Sequence, residues 1–105
     1  MFKSINGGGN WEAINTGLTD YNVTALAIDP TTTNTLYAGI TRSVFTSTNG
    51  GGNWSELNTG LEDTFIRTVA IDPKTPNTLY TGTMDGVFSI QQINTYYVYL
   101  PLLVK

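Results

Sequence analysis

The sequence predicts an all-β protein assembled from β-propeller blades, and three observations carry that prediction. Residues 2–11 (FKSINGGGNW) return at 45–54 (FTSTNGGGNW), and an ungapped comparison of 2–44 with 45–87 gives 24 identities in 43 positions. Each unit holds four β-rich runs separated by short turns, which is the period of a four-stranded blade. No stretch of about 10 to 15 residues places apolar side chains at helical spacing, so no helix is expected.

Within a unit the strands are named A to D. Strand A is VTALAI at 23–28 and IRTVAI at 66–71, each ended by Asp-Pro at Asp29-Pro30 and Asp72-Pro73. Proline fixes its own φ and removes an N–H from the ladder, so the strand stops there. A polar turn leads to strand B at Thr35–Gly39 and Thr78–Gly82. Strand C follows at 43–47 and 86–90, with Ser4 closing its N-terminal counterpart, and strand D begins at Trp11 and Trp54. In chain order this reads C, D, then A, B, C, D, then A, B, C. Residues 1–95 are thus expected to form tandem 43-residue repeats (2–44, 45–87 and a partial third from 88), followed at 96–105 by an apolar C-terminal strand or tail. In the third copy Gln91, Gln92 and Ile93 replace the Asn-Gly-Gly turn, and the tail is the candidate for its strand D, with Pro101 demanding an edge or a break.

Composition excludes several functions. Only five Lys and Arg stand against eight Asp and Glu, a formal charge of -3, so no basic stripe is present for phosphates and nucleic acid is not an expected partner. The absence of Cys and His removes thiol nucleophiles, imidazole bases and the usual zinc sets, and no metal or cofactor is expected. The apolar tail is too short to span a bilayer, which takes roughly 20 residues. The start, MFKSINGGGN, has no apolar run and does not read as a secretory signal. The sequence fixes no compartment; a secreted or envelope location is expected only if the chain derives from a longer parent.

The C to D connection is the most regular feature. Asn6-Gly7 and Asn49-Gly50 are strong hairpin signals because both residues tolerate positive φ, and the Asn side chain can accept a backbone N–H further along the turn. Trp11 and Trp54 then supply a large apolar cap over the hairpin. These residues resemble the Asp box of BNR repeats seen in sialidases, sortilin-type domains, xyloglucanases and photosystem II assembly factors: Ser4, Gly8 and Trp11, and Ser47, Gly51 and Trp54, match it, while Asn6 and Asn49 stand at the box Asp. The resemblance implies a propeller and a structural role for Ser4, Asn6, Gly8, Trp11, Ser47, Asn49, Gly51 and Trp54. It also implies that a sialidase-type carboxylate clamp of three arginines is absent, since the chain has only Arg42 and Arg67.

Candidate binding residues come from the places where the repeats differ: Arg42 against Asp85, Arg67 against Thr24, Tyr21 against Thr64, and Phe65 against Asn22. Ordinary loop variation explains most such differences. The functional alternative is a groove in which Tyr21 and Phe65 offer aromatic faces and Arg67 a cation. Arg42 and Asp85, in the turn between B and C, are expected at the opposite end of the propeller channel from Tyr21 and Phe65. Among the carboxylates, Asp29 and Asp72 read as turn caps, and the pair Glu62-Asp63 lacks calcium-loop spacing.

About two and a half blades do not close a ring of four to eight. The chain is therefore expected to close by homo-oligomerisation. Its expected function is a non-enzymatic binding or scaffolding module with carbohydrate or protein as ligand. The alternatives are a purely structural repeat fragment, or a glycoside hydrolase-like enzyme whose site forms across subunits.

Overall fold

The computed structural model describes residues 1–57, 65–76, 78–93 and 96–101, with backbone only at 92, 93 and 96–101. All its regular structure is β: β1 (Phe2–Lys3), β2 (Glu12–Ala13), β3 (Val23–Ile28), β4 (Leu36–Ile40), β5 (Ser43–Ser47), β6 (Ser55–Glu56), β7 (Ile66–Ile71), β8 (Thr78–Thr83), β9 (Gly86–Ile93) and β10 (Tyr96–Pro101). Strands β3-β4-β5-β6 form one four-stranded antiparallel sheet, β7 to β10 a second, and β1-β2 a separate two-stranded hairpin. The architecture is a partial, unclosed set of propeller blades: a leading hairpin, a first blade and a second blade.

Local chemistry repeats from blade to blade. Asp29 ends β3 by accepting, through Oδ1, the N–H groups of Thr31 at 2.8 Å and Thr32 at 3.1 Å. Asp72 does the same after β7 with Lys74 at 2.9 Å and Thr75 at 3.2 Å. Each Asp N–H in turn donates to a threonine carbonyl at the start of the next strand, Thr35 or Thr78, at 3.0 Å. These side-chain bonds occupy backbone donors that a strand stopped by proline leaves free. A register shift also recurs, between Val23 and Ala25 in β3 and between Ile66 and Thr68 in β7.

In the second blade, β10 pairs antiparallel with β9 from Tyr96 opposite Ile93 to Pro101 opposite Phe88. Strand β10 lies at the sheet edge, where a missing proline N–H costs no ladder bond. The tail's side chains lie outside the described residues.

Two cores lie on opposite faces of the first blade, because alternate side chains of a strand point to opposite sides. Tyr37 and Val44 face the second blade and pack with Leu57, Ile66, Val69, Leu79 and Ile90. Leu36, Ala38, Ile40, Phe45 and Trp54 face the leading hairpin, where Met1 and Ile14 join them. Full burial of each large aliphatic side chain is worth about 1.5–3 kcal/mol. Contact between the blades is tight enough to require glycine: a Cβ on Gly39 would lie 2.5 Å from Cγ2 of Ile66.

The tryptophans are not simple caps over their own hairpins. Trp54 is buried because its indole N–H donates to the Ile14 carbonyl at 2.9 Å and its backbone N–H to the Thr16 carbonyl at 2.9 Å, both in the preceding unit. Trp54 therefore joins one unit to the next. Trp11 makes no such contact among the described residues and is exposed.

Gly39→Ala is expected to destabilise the chain by about 1–3 kcal/mol, and Ile66→Ala by about 2–5 kcal/mol. Because the same contact is involved, the double variant should lose less than the sum in urea melts. Strict additivity would contradict the packing described.

Candidate functional site

Antiparallel strands alternate direction, so the entry to strand A and the turn between B and C lie at the same end of a blade. The structure follows that rule and corrects the expectation that Arg42 and Phe65 sit at opposite ends. The Arg42 guanidinium lies over the Phe65 ring, 4.7 Å from its centroid. The Ile66 N–H donates to the Thr41 carbonyl at 2.8 Å, and the Met84 N–H to the Phe65 carbonyl at 3.3 Å. The B to C turn of the first blade is thus fastened to the start of strand A in the second.

Thr41 anchors this end of the first blade as well. Its hydroxyl donates to Oδ2 of Asp20 at 2.5 Å, while Oδ1 of Asp20 accepts the Asn22 N–H at 3.0 Å. These bonds favour the ionised carboxylate, the Thr41 hydroxyl most, and hold Asp20 below its ordinary pKa of 3.8. Thr41 also sits at φ 52°, a left-handed conformation uncommon for a β-branched residue. Such strain costs on the order of 1–3 kcal/mol and collects at binding and catalytic sites.

The remaining candidates have mixed placements. Tyr21 is exposed, and its carbonyl accepts the Val23 N–H at 2.9 Å, which turns the chain into β3. Arg67 is exposed at the irregular start of β7. Asp85 lies in the B to C turn of the second blade, its N–H donating to the Thr83 hydroxyl at 3.0 Å. Tyr21, Arg42, Phe65 and Asp85 therefore belong to connections at one end of the blades. Thr64 and the pair Glu62-Asp63 lie outside the described residues. Thr41 and Asp20 were not among the predicted binding residues; a two-residue loop carrying Thr where Gly or Asn is usual is the signal that marks Thr41.

The Asn-Gly turns lie at the other end. Ser47 Oγ accepts the Gly51 N–H at 2.9 Å and donates to Asn49 Oδ1 at 2.9 Å, and that same Asn49 oxygen accepts the Asn53 N–H at 2.9 Å. Ser4, Asn6, Gly8 and Asn10 repeat the arrangement. Gly50 donates to the Asn34 carbonyl at 2.8 Å, joining this turn to the A to B turn of its own blade. A hollow of about 290 Å³ beside Trp11 is lined by Lys3, Ile5, Asn6, Asn10 and Glu12. Among the described residues, no group of three acidic side chains is placed to hold a metal ion.

No protein-family model and no curated protein matches the chain. Solved structures share its fold, two of them GH74 enzymes. A GH74 enzyme from Niastella koreensis matches with a TM-score of 0.76 and 20% identity over 95% of this chain and 18% of its own length. An ancestral GH74 enzyme matches with a TM-score of 0.76 and 23% identity over 96% of this chain and 15% of its own length. The chain spans less than a fifth of either protein. At these identities the likeness is one of fold, and it corrects two expectations. The BNR/Asp-box family is replaced by a GH74-type propeller fold, since no family model supports the former and the matching structures are GH74 enzymes. The expectation of a non-enzymatic protein also finds no support, since both of these fold relatives are enzymes.

Because the folded-state pKa of Asp20 lies below its unfolded value, its contribution is present above about pH 4 and is lost as pH falls through the folded-state pKa. Asp20→Asn should lower the melting temperature at pH 7 and leave it unchanged near pH 2. Equal losses at both pH values would remove the charge from this account.

Proposed function

We propose that the chain contributes to a carbohydrate-processing propeller of glycoside-hydrolase type, whose site is completed by blades beyond those it holds. The observation that supports this reading most is the combination of a GH74-type fold with an aromatic, cationic and acidic cluster gathered at one end of its blades. In this reading Tyr21 is the sugar platform, presenting a ring face to the apolar side of a pyranose. Arg42, braced over Phe65, and Arg67 donate to sugar hydroxyls.

Glycoside hydrolysis takes two carboxyl groups, one to protonate the leaving oxygen and one to act as nucleophile or to activate water, about 5–9.5 Å apart. Asp20 and Asp85 are this chain's candidates. Asp20 is held ionised by Thr41 and suits the base or nucleophile role. The partner acid requires a raised pKa. In this reading it comes from Asp85 or from a blade beyond those this chain holds. The net charge of -3 favours neutral over anionic polysaccharides.

Reducing-end release from a panel of neutral polysaccharides tests the proposal. The expected result is hydrolysis that falls at least 100-fold in Asp20→Asn and shows a raised KM in Tyr21→Ala. Absence of both hydrolysis and retention on every polysaccharide would contradict it.

A further inference from the structure

The repeat supplies an internal control for every surface of the first blade: shifting a position by 43 residues shows what the same side chain does when a blade precedes it. Phe2 is 66% exposed and Trp11 64%, whereas Phe45 is 2% and Trp54 4% exposed. Leu26 is 51% exposed and its counterpart Val69 only 8%. Ile28 is exposed where Ile71 is half-buried. Leu26 and Ile28, with Met1, Phe2, Ile14 and Leu36, line an apolar hollow of about 180 Å³ at the place where strands A and B of a preceding blade would lie.

What covers this face is visible one repeat later. Val69 and Ile66 are covered by Tyr37, Gly39 and Val44 of the first blade. The second blade carries the same set at Tyr80, Gly82 and Val87, and Val87 is exposed. One chain thus holds both halves of an interface that it also contains intact. We propose that a second copy of this chain docks head to tail, seating Tyr80, Gly82 and Val87 of its second blade against Leu26 and Ile28 of the first copy.

The second blade is complete, so docking displaces the leading hairpin from the equivalent position. That hairpin has two residues in each strand, all four exposed, whereas the second blade brings a four-stranded sheet. The hairpin is the weaker occupant. Each copy then adds two blades, and a head-to-tail contact that closes gives four to eight blades from about two to four copies. This deepens the proposal that the site is completed by additional blades, by naming their source.

The chain has no Cys, so introduced pairs report cleanly. In the intact interface a Cβ on Gly39 lies 3.3 Å from Cγ2 of Val69, which places the corresponding pair, Gly82 of one copy and Leu26 of the next, near disulfide range. Mixing Leu26→Cys with Gly82→Cys under mild oxidation should give a mixed disulfide as the main product, with little from either variant alone. Predominant Leu26→Cys self-pairing, or no disulfide between folded variants, would overturn the proposal. If Gly82→Cys does not fold, sedimentation of Leu26→Glu decides: at this exposed position the fold should persist by circular dichroism while association weakens at least 10-fold. Association as strong as in the unmodified chain, or none in either, overturns it. Neither readout depends on glycan hydrolysis, so failure here is distinct from failure of the proposed activity.

Discussion

The structure depends on the packing of one blade face against the next. A four-stranded sheet of this length has apolar residues on both sides, and neither side can be left to water without losing much of the gain that orders the strands. Tyr37 and Val44 on one blade, and Ile66 and Val69 on the next, meet so closely that only glycine fits at position 39. The same requirement explains the opposite fates of the two tryptophans. Trp54 packs on the first unit, which receives its indole N–H, whereas Trp11 is exposed.

Features set by near neighbours in sequence were legible before the structure. The Asp-Pro strand ends and the Asn-Gly turns are closed by side chains reaching two to four residues along the chain, and residue type alone announces them. Features set by the neighbouring blade were not. Nothing in the sequence around residue 11 differs from that around residue 54 in a way that distinguishes an exposed tryptophan from a buried one. The separation of Arg42 from Phe65 was an error of direction: an antiparallel meander returns its B to C turn to the end where strand A begins. The strained φ of Thr41 is marked in the sequence only by a β-branched residue standing in a two-residue loop where Gly or Asn is usual.

For function, the consequence is that the two ends of the blades differ in kind. One end holds Asn-Gly turns whose Ser and Asn side chains bond within each turn. The other carries an ionised Asp20, a strained Thr41 and Arg42 on Phe65, with Tyr21 exposed beside them in sequence. That end is the one on which the proposed carbohydrate site draws. Under the proposed docking, that end is completed when the face that carries Leu26 and Ile28 is covered.

The central claim is that this face is a blade interface filled by another copy, and the mass of the chain in solution tests it most directly. Light scattering at micromolar protein should give at least twice the 11.4 kDa of a single chain. A folded species of 11.4 kDa at every concentration would contradict the account.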